Sequence, residues 1–150
     1  MSADLLFTAA SLTLLVYWFR YTCMLILSVR STGDRAAAVA QANALQFPEI
    51  QQKLANDIPA EPAHLDLLRR SLERDYDLLI SLIRNGAEFR IARQQLENRM
   101  LMLDFQIMRA WFSVSRRLSV QRGRQTLEEM IHILGHFADM MAECTATASK

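Results

Sequence analysis

Apolar residues fall along this chain in two different rhythms, and both predict helix. The first is a continuous block. From Leu5 to Val29 the chain carries no proline, no glycine and one charge, Arg20. At ~1.5 Å per residue the block is long enough to cross a bilayer. A cleaved signal peptide would show a basic start and a short apolar stretch. Here the start is "MSAD", whose only charged side chain is acidic, and the block is too long. The expected element is a retained signal-anchor, a single transmembrane helix. The competing assignment is a buried helix of a soluble protein, and length favours the span.

The second rhythm is a step of three and four. "STGDRAAAVAQANALQ" is alanine-rich and favours helix after a break near Gly33, and Pro48 opens a short helical piece, "PEIQQKLAND". "DIPAEPAHL" reads as a linker around Pro59 and Pro62. Beyond it, Leu65, Leu68, Leu72, Tyr76, Leu79 and Ile83 form one amphipathic face, with Asn85-Gly86 as its stop. Phe89, Ala92, Leu96, Met100, Leu103, Ile107, Trp111, Val114 and Leu118 form the next, which is predicted to break around Gly123. Thr126 and Glu129 match a capping box that opens a last helix, whose face is Leu127, Met130 or Ile131, Leu134, Phe137 and Met141. No segment has a strand period.

The expected fold is therefore all-α: one N-terminal transmembrane helix followed by an antiparallel, up-down bundle of about three main helices. The division is 1–30 as anchor, 31–63 as helical connector and linker, and 64–150 as bundle.

Composition changes this picture little. The chain has 150 residues, 22% charged, with a net charge of +1. Nothing pulls it globally toward nucleic acid. "SRRLSVQRGR" gathers Arg116, Arg117, Arg122 and Arg124 without interleaved aromatics, so it reads as a solvated loop or a weak headgroup contact. Cys23 and Cys144 make no disulfide framework and are expected to be reduced.

Charge near the anchor sets the topology. Arg30 and Arg35 follow it and no Arg or Lys precedes it, which places the N-terminus outside and the bundle in the cytoplasm. Arg20 lies near mid-span. A charge there costs about 2.5–3.5 kcal/mol on the insertion scale, which roughly a dozen apolar side chains outweigh. Either it snorkels beside Tyr17, Trp18 and Tyr21, or it faces a partner along a stripe with Ala9, Thr13, Tyr17 and Cys23.

One segment, "MLMLDFQIMRAWFSV", is oily beyond a single face, at Leu101, Met102, Phe105, Met108 and Phe112. Either it is a central helix, or it offers a docking surface suited to adaptable Met and aromatic side chains. Candidate partner-binding residues are thus Thr13, Tyr17, Arg20, Met102, Phe105, Met108 and Phe112.

Chemistry is sparse. "EEMIHILGH" spaces Glu129, His132 and His136 as weak metal candidates, and "EPAH" repeats the Glu-x-x-His spacing at Glu61 and His64. Neither has the further core glutamates of a di-metal bundle, and no nucleophile has a plausible base. The expectation is a non-catalytic membrane protein without a cofactor. It would be an accessory or assembly subunit, or a tethered adaptor, whose partners are the membrane and other subunits or itself. The alternatives are a helical enzyme using Glu129, His132 and His136, and a self-associating membrane scaffold.

Overall fold

The computed structural model describes residues 2–29, 34–56, 61–85 and 92–148, and within them every regular element is helical. The elements are α1 (Ser2–Val29), α2 (Asp34–Ala42), α3 (Phe47–Ala55), α4 (Pro62–Asn85), α5 (Ala92–Leu118) and α6 (Val120–Ala148). The expected break at Gly33, the Pro59 part of the linker, Gly86 and the Phe89 start of a face lie outside the described residues.

The chain forms two compact units, Met1–Ser31 and Thr32–Lys150. The first is α1. It is the described helix long and apolar enough to cross a membrane, over Ala3–Ser28. Leu5, Leu6, Phe7, Leu12, Leu14, Leu15 and Trp18 all point outward. The hydroxyls of Thr8, Thr13, Thr22 and Ser28 turn back onto carbonyl oxygens three or four residues earlier.

The second unit is built around its last helix. From Leu127 to Met140, α6 is buried on every side except at Glu128, Glu129 and His132. Its apolar side chains occupy roughly half of its circumference at 3.6 residues per turn, Gly135, His136 and Asp139 are buried on the other half, and α2, α3, α4 and α5 all pack on it. The segment that the sequence assigned to a connector is part of this core: Ala36, Ala40, Leu45, Phe47, Ile50 and Leu54 are buried. Pro62 is the first residue of α4, so the linker ends earlier than its sequence implies.

On α4 the anticipated face is the buried one, from Leu65 through Ile83. Its pairings with α5 run in opposite senses. Asp66 meets Arg116, the Arg69 guanidinium lies 5.9 Å from the Phe112 ring, Glu73 is 3.8 Å from Arg109, and Tyr76 stacks on Phe105 at 4.1 Å. The partly exposed ion pairs add little each; the buried rings carry more.

The passage from α5 to α6 differs from expectation. The chain reverses at Ser119, the one non-helical residue between them, and not at Gly123. Ser119 N–H still donates to the Ser115 carbonyl at 3.0 Å, and Gly123 N–H to that of Ser119 at 3.1 Å. Gly123 is buried inside α6 because the backbones approach there: a Cβ would stand 3.3 Å from Arg116 Cβ. Thr126 is not a helix cap. Its hydroxyl donates to the Arg122 carbonyl at 2.9 Å and lies 3.3 Å from that of Ser115 across the reversal.

Helix α3 is held at both ends by other helices. Its N-cap position, Gln46, makes no side-chain cap, and Pro48 occupies the first turn. The open N–H groups of Gln46 and Phe47 instead donate to Asp75 Oδ2 on α4, at 2.6 and 2.7 Å. At the other end Arg124 of α6 donates to the Leu54 carbonyl. An anion at the N-terminus and a cation at the C-terminus both suit the helix dipole.

Burial raises the Asp75 pKa, outweighing the two amide hydrogen bonds and the charge of Arg74. Oδ1 is buried without a hydrogen-bond partner among the described residues, so a proton there displaces no existing bond. A raised native pKa means the native state holds its proton longer than the unfolded chain. This group's contribution to stability therefore falls as pH rises from the ordinary carboxylate value to the raised one, and is flat above it.

Two predictions follow from these caps. Asp75→Ala, which strips both amides of their acceptor, should cost about 1–3 kcal/mol in urea unfolding. Asp75→Asn keeps an acceptor without a charge, and should gain on wild type as pH rises through that window. An Asn variant as unstable as the Ala variant at neutral pH would contradict the account. Separately, α2 ends with Ala44 at φ 52, in the left-handed region, while Leu45 N–H donates to the Ala40 carbonyl at 2.8 Å. Glycine suits that position, so Ala44→Gly should raise stability by about 1 kcal/mol, read as a higher Tm.

Candidate protein and membrane contact surfaces

Helix α5 carries two apolar faces, and the structure buries the one that sequence reading took for surplus. Leu101, Phe105, Met108 and Phe112 are in the core, and Met102 is half-buried at its edge. Phe105, Met108 and Phe112 thus do not form the docking surface assigned to them. They are consumed by α4 and α6, with Tyr76 lying between Phe105 and Phe137. Burial also pushes the Tyr76 phenol above its ordinary pKa, despite a hydrogen bond with Gln106.

The face expected to be core is the open one. Leu96, Leu103, Trp111, Val114 and Leu118 are between 46% and 63% exposed, and Met100 and Ile107 are half-buried. Together they make one stripe along the whole described length of α5, stepping by three and four. Scattered exposed leucines are ordinary, but a continuous apolar stripe marks a contact surface.

On α1, Thr13 and Tyr17 are exposed and Arg20 is half-buried. They share one side of the helix with Ala9. The Thr13 hydroxyl is satisfied by the Ala9 carbonyl at 2.8 Å, so this residue offers a partner shape more than a hydrogen bond.

The metal candidates are not brought together. His136 is buried edge-on to Phe137, with ring centroids 6.5 Å apart, while His132 is exposed and Glu129 is half-buried. His64 is half-buried in the first turn of α4. Among the described residues no three His, Cys, Asp or Glu side chains converge as a metal would need. His132 instead edges an open cavity of about 170 Å³ between α2, α3 and α6, lined by Ala36, Phe47, Pro48 and Gly135. Gln51 also lines it, so its walls offer a ligand two polar side chains, Gln51 and His132. Cys23 is buried and Cys144 half-buried, and they are not joined in a disulfide.

Comparison with protein-family models, with curated proteins and with solved structures gives no match. The surfaces must be judged on their own chemistry.

The two faces of α5 should separate cleanly on mutation. Phe105→Ala is expected to cost about 3–5 kcal/mol, because it empties a packed aromatic site. Leu103→Gln on the open stripe should stay within about 0.5 kcal/mol of wild type. Chemical denaturation of both variants checks the assignment, and equal costs would refute it.

Proposed function

We propose that this is a non-catalytic, single-span membrane protein with its N-terminus outside and its helical unit in the cytoplasm. It acts as an accessory or assembly subunit, or as a tethered adaptor, through contacts with other membrane subunits. The observation that carries this reading is the outward display of apolar side chains along α1, which water would not favour and lipid would. The back-bonded hydroxyls support it, since a bilayer supplies polar groups with no outside partner. The arginines after α1 support the orientation. The opposed senses of the α4–α5 pairings and the reversal at Ser119 support an up-down arrangement of α4, α5 and α6.

In the bilayer, the contact is the side of α1 bearing Thr13, Tyr17 and Arg20. A charge near mid-depth is costly against lipid tails, which favours setting this side of α1 against another subunit's helix.

The protein should resist alkaline carbonate extraction, and proteases should cut the helical unit only from the cytoplasmic side. Release by carbonate would remove the membrane assignment. Arg20→Leu should leave insertion intact while weakening co-purification of membrane partners from gentle detergent. Unchanged co-purification would discard the Arg20 contact.

A further inference from the structure

Among the described residues of its own unit nothing covers the open stripe of α5, and its charges narrow what can. Among the α5 residues whose side chains are described, the exposed charges are all arginine: Arg99, Arg109 and Arg117. The two acids, Glu97 and Asp104, are half-buried and buried. Arg99 and Arg117 flank the same edge of the stripe, one near each end, at equivalent helical angles about 40° from Leu103 at 3.6 residues per turn. Arg109 lies farther round, toward α4, where Glu73 stands 3.8 Å away. Trp111 sits within the stripe.

This pattern argues against a second copy. Two α5 stripes laid parallel set the arginine edge against the partner's opposite edge, whose acids, Glu97 and Asp104, are half-buried and buried and already have partners. Laid antiparallel about the stripe's centre, they put Arg99 against Arg117. The antiparallel register thus juxtaposes like charges at the flank where paired helices normally place opposite ones, and the parallel register offers the arginines no available acid. The same pattern matches a bilayer surface: leucines and a tryptophan to enter the headgroup boundary, and arginines beside them to meet phosphates.

We infer that α5 is an in-plane membrane contact, seated by its Leu96–Leu118 stripe on an anionic leaflet. The inference rests on the anchored reading in one respect. A tethered unit meets the surface at a high effective concentration, so a modest stripe suffices. Each arginine near an anionic surface adds attraction that salt screens.

Trp18 and Trp111 are the two tryptophans of the chain. In a full-length Trp18→Phe background, Trp111 therefore reports alone. The protein is reconstituted in vesicles whose acyl chains carry bromine, made of phosphatidylcholine alone or mixed with phosphatidylglycerol. Trp111 emission should shift to the blue and be quenched in the mixed vesicles. The quenching should weaken in high salt and be lost in the Arg99→Glu, Arg117→Glu double variant, whose helix content is checked by circular dichroism. Unquenched Trp111 in the mixed vesicles, with the protein still resistant to carbonate, overturns the α5 contact and leaves the anchor standing. Equal quenching in both vesicles, or in the double variant, overturns the charge argument. Trp111 shielded in detergent together with a doubled mass assigns the stripe to a second copy and also overturns it. Carbonate release with quenching retained overturns the anchor and upholds the α5 contact.

Discussion

A helix buried on every side must be enclosed by others, and α6 between Ile133 and Met140 is such a helix. Ile131, Ile133, Leu134, Phe137 and Ala138 cover roughly half of its circumference at 3.6 residues per turn, and Gly135, His136 and Asp139 on the other half are buried as well. Each large side chain withdrawn from water contributes about 1.5–3 kcal/mol, so exposing the apolar half is costly. Four helices satisfy the requirement by surrounding it. The consequences run outward. The short helices α2 and α3 are recruited as walls instead of serving as a tether. The reversal at Ser119 lets α5 fold back at once along one side.

Recruiting a helix as short as α3 creates a polar problem. Nine residues leave nearly as many unsatisfied end groups as satisfied internal ones. The neighbours supply the remedy: Asp75 at one end and Arg124 at the other, each reaching from a longer helix. The burial that makes the unit compact also makes the Asp75 carboxyl reluctant to ionise. Stability and charge are thus traded at one atom pair, at the seam of α3 with α4.

Some of this was legible in the sequence. The buried face of α4 was, because its apolar positions form one stripe and its charges, Asp75 excepted, lie elsewhere. Helix α5 was not. It has two apolar stripes roughly 130° apart at 3.6 residues per turn, and periodicity alone cannot rank them. The buried stripe also carries Asn98, Asp104 and Ser115 nearby, which made it look like the surface. What decides between them is tertiary: the ring of Tyr76 stacked on Phe105 and the Asp66–Arg116 pair. The Thr126–Glu129 spacing misled for a related reason. It is a local signal for a helix start, but the reversal came seven residues earlier, at Ser119. Gly123 invited the same error, since close backbone approach and helix breaking leave one mark in a sequence. For the candidate surfaces, Thr13, Tyr17 and Arg20 were visible as a side of α1. The α5 stripe was seen and assigned to the wrong side of the protein.

That the enclosing order ends with α6 has a consequence for synthesis. The ribosome makes the walls first and the pillar last. Until Val120–Ala148 emerges, α2 to α5 have no common surface to pack on, and their apolar sides stay open in the nascent chain. Folding of this unit therefore waits on α6 even if α1 is already threaded. A message truncated before codon 120 would encode walls with nothing to enclose.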